Sequence, residues 1–220
     1  MKRYNTFLIT AFLVITSLSC QALLPSATEG GESTDLPNVL FQDDFSDPTS
    51  GWDRVDGDKA STNYYNDGYR IFVNAPDSDY WANPGLNFTD VRIEVDARKL
   101  SGPDDNDFGV LCRYQPDTRE YYFFMLTSDG YYTIGKFING NIEPIGMDSM
   151  LPHEAIRTGA STNHIRADCV GNQLTLYANG IKLFETTDDE LTNGDVGLIA
   201  GTFEEPGTDI LFDNFTVLNP

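Results

Sequence analysis

The chain has 220 residues, with 34 Asp or Glu against 14 Lys or Arg, for a formal charge of −20. Removal of Lys2 and Arg3 with an N-terminal leader brings the mature chain to −22. A surface this acidic repels nucleic acid and anionic lipid, which removes both as partners, while it attracts divalent cations and tolerates neutral sugars.

Lys2 and Arg3 precede an apolar run from Phe7 to Leu18, and Ser17, Leu18 and Ser19 lead into Cys20. That run is too short for a stable span of about 30 Å of hydrocarbon, so residues 1–19 read as a secretory signal. A cysteine directly after the cut resembles the lipobox of bacterial lipoproteins, whose thiol takes a diacylglyceryl anchor. The resemblance implies a lipid-modified Cys20 and a protein exported and held outside the cytoplasmic membrane or on the cell surface. Contact with the membrane is then through the anchor alone. An ordinary secretory cleavage, for which Ser17 and Ser19 also suit, is the alternative. Residues 21–37 (QALLPSATEGGESTDLP) are rich in Ser, Thr, Gly, Glu and Pro and lack a hydrophobic period, as a flexible tether does.

Residues 38–220 keep one character throughout and are enough for one domain with a substantial core. A monomer is expected. Val91, Ile93, Val95 and Ala97 alternate with Arg92, Glu94, Asp96 and Arg98. Leu174, Leu176 and Ala178 alternate with Gln173, Thr175 and Tyr177, and Val196, Leu198 and Ala200 alternate with small residues. Each pattern is that of a strand with one buried face. Asp67-Gly68, Asp129-Gly130, Asn139-Gly140 and Asn179-Gly180 mark tight hairpins. No segment keeps a helical period over ten residues, and only Ser149–Arg157 leaves room for one short turn of helix. About a dozen short strands in one domain predict an all-β, two-sheet antiparallel sandwich.

Three cysteines are an awkward number outside the cytoplasm. With lipid on Cys20, Cys112 and Cys169 remain as one pair. Each shares its period-two face with apolar neighbours, Val110 and Tyr114 in one run and Ile165 and Ala167 in the other. A buried cross-strand disulfide is the expectation.

The order of signals along residues 38–220 resembles a known group. Phe41-Gln42-Asp43-Asp44-Phe45 and Gly51-Trp52 open the domain, and Asp67-Gly68-Tyr69-Arg70-Ile71 follows. Phe108-Gly109-Val110-Leu111-Cys112-Arg113-Tyr114 and Tyr121-Tyr122-Phe123-Phe124 stand in the middle. Gly194-Asp195-Val196-Gly197-Leu198 and Leu211-Phe212-Asp213-Asn214-Phe215 close it. This looks like the concanavalin A-like jelly roll of lectins and glucanases, and more closely like the laminin-G-like and 3-keto-disaccharide-hydrolase-type domains of bacterial lipoproteins. It implies a convex back and a concave front that meets carbohydrate.

The same resemblance implies one structural Ca²⁺ on the convex side, held by Asp44, the carbonyl of Gly68 and Asp213, hard oxygen donors of the kind calcium takes. The competing reading of Asp213 is a carboxylate that bonds backbone amides at a bulge. Sugar stacking calls for exposed aromatics beside planar polar groups. Trp81, Asn106, Arg113, Tyr122, Tyr132 and Lys136 are the candidates on the front, Arg113 because it is opposite in phase to Cys112. Laminarinase-type relatives of this fold carry Glu-x-Asp-x-x-Glu; Glu94-Val95-Asp96 matches the first two carboxylates and lacks the third. Surface ion pairs with Arg92 and Arg98 explain that pair more simply, and neither His153 nor His164 has a nucleophile at a recognisable spacing. The expectation is therefore an extracytoplasmic lipoprotein with a non-catalytic carbohydrate-binding or recognition domain for a glycan or cell-wall polysaccharide. The alternatives are a glycoside hydrolase of the 3-keto-disaccharide type, and a structural or adhesive domain with a protein partner.

Overall fold

A computed structural model describes residues 38–220; the signal, Cys20 and the tether lie outside the described residues. In chain order the strands are β1 (Val39–Asp43), β2 (Val55–Asp56), β3 (Ala60–Tyr64), β4 (Tyr69–Val73), β5 (Ser78–Ala82), β6 (Val91–Ser101), β7 (Asn106–Tyr114) and β8 (Tyr121–Leu126). There follow β9 (Tyr131–Ile138), β10 (Asn141–Pro144), β11 (Leu151–Pro152), β12 (Asn163–Val170), β13 (Gln173–Ala178), β14 (Ile181–Thr187), β15 (Asp195–Thr202) and β16 (Thr208–Leu218). No helix forms among the described residues. Where a turn of helix had room, β11 pairs with β9 instead.

Two antiparallel sheets make the sandwich. One has nine strands in the order β14-β13-β12-β6-β16-β4-β3-β2, with β1 also paired to β16. The other has seven, ordered β10-β9-β8-β7-β15-β5, with β11 paired to β9. The alternation read from the sequence fixes the register of the first. On β6, Val91, Ile93, Val95 and Ala97 are buried while Arg92, Glu94 and Asp96 stay half-exposed, and on β12 Ile165, Ala167 and Cys169 are buried in the same way. Ala167 stands opposite Ile93 and Ile165 opposite Val95, so a slip of one residue would expose both rows. The strands β7, β8 and β15 are instead buried along nearly their whole length on both faces.

Two of the four turns follow their dipeptides, a third is shifted, and at Asp129-Gly130 only the glycine has positive φ. Asn139-Gly140 and Asn179-Gly180 both have positive φ at the two central residues, as the primed hairpin turn requires. In the β3–β4 hairpin the two left-handed residues are Asn66 and Asp67, and Gly68 is the first residue beyond them, closed by paired bonds with Tyr65. Asn tolerates the left-handed conformation, so the turn sits one residue earlier than its Asp-Gly signal.

Between the sheets lies one large core. At the end built by β1, β3, β4 and β16 it is aromatic, with Trp52 edge-on to Phe215 (4.9 Å) and 5.5 Å from Tyr69. The indole N–H of Trp52 donates to buried Asp43 at 2.9 Å, and Asp43 also accepts the Phe45 amide at 2.7 Å. Further along, the Cys112–Cys169 disulfide joins β7 to β12, and so ties the two sheets together through the core.

Candidate functional site

Period-two alternation puts Phe108, Val110 and Cys112 of β7, and Tyr122, Phe124 and Leu126 of β8, in the main core. Their neighbours point the other way. Leu111, Tyr121, Phe123, Met125 and Ile199 form a second apolar cluster on the outer face of the seven-stranded sheet, with half-exposed Trp81, Tyr114 and Phe137 around it. The rings run across the strands: Trp81 is 5.6 Å from Tyr121, Tyr121 stacks on Phe137 at 5.4 Å and 21°, and Tyr114 is about equally near Trp81 and Tyr121 (6.1 Å to each). Gly135, opposite Phe123, makes room for this: a Cβ there would strike the Phe123 ring and the Glu143 carbonyl. The five clustered residues are themselves buried, so what this face presents to solvent is the half-exposed rings of Trp81, Tyr114 and Phe137 and the cavity beside them.

Beside these rings opens a cavity of about 310 Å³, lined by Tyr121, Phe123, Met125, Ile142, Met150 and Phe203, with Asp79 and Asp107 at its polar end. Its size is within the range of small-ligand sites. Asp79 on β5 and Asp107 on β7 flank Gly201 of β15 in one cross-strand row. Their carboxylates converge over that glycine, because a Cβ at residue 201 would meet an oxygen of Asp79 and both oxygens of Asp107. Asp107 is 5 % exposed, and its Oδ1 has no hydrogen-bond partner. Among the described residues neither carboxylate has an ion-pair partner. Burial pushes the Asp79 carboxyl up to about 6. Burial, then the charges of Asp79 and Asp105, pushes Asp107 well above the ordinary carboxylate range. The nearby Tyr121 hydroxyl is raised as well, first by burial and then by the two carboxylates.

Of the six residues expected on the front, Trp81 packs at the edge of the outer aromatic cluster. Arg113 does not. It adopts a left-handed φ of 56°, which breaks the alternation after Cys112 and turns the side chain inside the sandwich. There it is 2 % exposed and donates to the carbonyls of Thr89, Leu191 and Gly171. Tyr122 and Tyr132 belong to the main core, and the Tyr122 hydroxyl bonds Asp188. Lys136 shares their inward phase and pairs with Asp188 and Glu190 at 2.7 Å each. Asn106 is fully buried and closes the turn before β7 through Pro103 and Ser128. For these five the expected front position is corrected by the structure.

Glu94 and Asp96 lie on the outer face of the nine-stranded sheet, remote in topology from the aromatic face. Asp96 meets His164 at 2.9 Å, and next to it Arg92 and Arg166 both bond Asp168. They belong to a surface polar network. Of the donors expected for calcium, Asp44 accepts from the Ser46 amide and hydroxyl, the Gly68 carbonyl accepts from the Tyr65 amide, and Asp213 accepts from the Asn214 amide at a bulge. Among the described residues no three Asp, Glu, His or Cys side chains are grouped to hold a metal.

Asp79, Asp107, Tyr114, Tyr121, Phe123 and Phe137 were not among the residues expected on the front. Their signal was phase. Asp107 and Leu111 alternate with Phe108, Val110 and Cys112, and Asp79 shares its phase with Trp81.

No family model matches the chain and no curated protein sequence matches it. Solved structures do. It is similar to the carbohydrate-binding module CBM66 from Bacillus subtilis, with a TM-score of 0.62 and 17% identity over 76% of this chain and 95% of that one. A Bacillus subtilis protein of unknown function with a galectin-like fold gives 0.61 and 12% identity over 83% and 96%. The Bacillus licheniformis β-glucanase gives 0.60 and 11% identity over 82% and 97%. The described chain has the concanavalin A-like jelly-roll fold of lectins and glucanases.

Proposed function

We propose that this protein is an extracytoplasmic glycan-binding module whose outer aromatic face, on the seven-stranded sheet, is the binding surface. The observation that carries the reading is the row Trp81, Tyr121 and Phe137 beside a cavity that ends in two carboxylates. Apolar ring faces stack on the C–H faces of sugars, and convergent carboxylates accept their hydroxyls. That a carbohydrate-binding module and a β-glucanase share the fold supports the same reading.

Hydrolysis is the second reading. It is favoured by one observation, a buried pair of carboxyls with raised proton affinity in a cavity. Binding is preferred because the half-exposed rings of Trp81, Tyr114 and Phe137 stand beside the cavity. A glycan array and a hydrolysis screen on the same purified protein separate the two: saturable binding without product supports the module, and product release supports the enzyme.

The inter-sheet disulfide supports an oxidising compartment. In this reading Cys20 carries lipid and residues 21–37 hold the domain away from the membrane. Cys20→Ala should move the protein to the medium; a wild-type protein already soluble with a free thiol would contradict the anchor.

A further inference from the structure

The pair at the end of the cavity lacks what a buried carboxylate ordinarily has. Asp107 is nineteen-twentieths buried, lines the cavity, has one oxygen without a hydrogen-bond partner, and stands across Gly201 from a second carboxylate. Two charges held this way are costly without a cation or donors. The groups that face them do not supply either. From β5 and the turn before it come Asp79 itself and Asp77, from β8 the Tyr121 ring, from β15 Gly201 and Thr202, and from the turn before β7 Asp105. The Thr202 hydroxyl is turned away to the carbonyls of Ala75 and Ser78. All the charge facing the cavity is negative, and the walls are aromatic and aliphatic.

Resting on the glycan-binding reading, we infer that the ligand brings the missing cation: the Asp79–Asp107 pair is a subsite for the ammonium group of a non-acetylated amino sugar. An ammonium offers three N–H donors to the converging carboxylate oxygens. The Tyr121 and Phe123 rings that line the cavity attract a cation. The raised proton affinity of both carboxyls is what an unfilled cation site of this kind produces. A neutral sugar or an N-acetylated one leaves the pair without its counter-charge.

Titration calorimetry at pH 6 with glucosamine oligomers, their N-acetylated counterparts and glucose oligomers tests this on the purified protein. The glucosamine oligomer should bind about tenfold or more tighter than the other two. Asp107→Asn and Asp79→Asn should each remove most of that preference, read as the ratio of charged to neutral affinity in the same variant. Both variants relieve like-charge repulsion and should stay folded, which a melting curve verifies. Equal affinity for charged and neutral oligomers overturns the ammonium site but leaves the glycan-binding reading standing. A preference that survives both Asn variants assigns it to the acidic surface at large and also overturns the site. Binding of an oligolysine peptide with no binding of any glycan overturns both readings.

Discussion

The Arg113 guanidinium lies 5.9 Å from the centre of the Tyr122 ring, inside the sandwich. It bridges the carbonyls of Leu191 and Gly171 at 2.7 Å each, and so pins two loops to the end of β7. Burial lowers its proton affinity, yet an arginine stays charged. Arg113→Ala leaves those carbonyls without a donor and should cost about 3 kcal/mol or more. Arg113→Lys should recover little of this, because one ammonium cannot reach the spread of acceptors. Urea unfolding measures the loss. An Arg113→Ala protein with wild-type stability and lost glycan affinity would mean that Arg113 touches ligand after all.

The Cys112–Cys169 bond closes a loop of 57 residues between the two sheets. The chain-entropy account gives about 4 kcal/mol for such a loop, a large share of the 5–15 kcal/mol typical of a domain. Replacing both cysteines with Ser should lower the urea midpoint accordingly. A midpoint unchanged between the disulfide form and the double variant would show that the two sheets hold each other without it.

Stability should rise as the solution is made mildly acidic. Asp79 and Asp195 are pushed up to about 6 by burial, and burial also raises Asp107 well above the ordinary carboxylate range. Above about pH 4 the unfolded chain has released these protons, while the native state still holds them up to its raised values. The native state therefore binds more protons than the unfolded between those limits, and it gains stability as pH falls from 7 toward 4. Below that, Asp44 and Asp47, held down by bonds from Ser46 and Thr49, work in the opposite sense. The urea midpoint should be higher at pH 5 than at pH 7, and Asp107→Asn should flatten the difference. A midpoint that climbs steadily from pH 5 to 7 contradicts the buried pair.

Gly135→Ala should be destabilising by about 1–3 kcal/mol, the usual cost of overpacking. The new methyl meets the Phe123 ring and the Glu143 carbonyl, and the backbone on that side cannot withdraw as a side chain can. A melting temperature equal to wild type would show that Phe123 does not lie over this strand.

Strand phase was legible wherever the backbone kept its alternation. Val91–Ala97 and Ile165–Cys169 have one apolar and one polar row, and their inward faces are the ones the pattern gives. The inward phase of both cysteines follows from the same pattern. The front face was harder to read, for two physical reasons. A left-handed residue at Arg113 reverses the alternation within β7, and nothing in Leu-Cys-Arg-Tyr announces it. In Tyr121–Leu126 both faces are apolar, so composition alone does not say which row faces the core and which faces ligand. Asp79 and Asp107 are eclipsed by a chain rich in surface carboxylates. Only the pairing of β5, β15 and β7 brings the two to opposite sides of Gly201.

The most direct measurement of the central claim is calorimetric titration of wild-type and Trp81→Ala protein with the strongest glycan found on an array. Trp81 is half-exposed at the rim of the aromatic face, so its removal should leave the melting temperature close to wild type. Saturable binding without turnover, weakened about tenfold by Trp81→Ala and similarly by Phe137→Ala, is the predicted result. Affinity untouched by either substitution, or no saturable glycan binding by the wild-type protein, contradicts it.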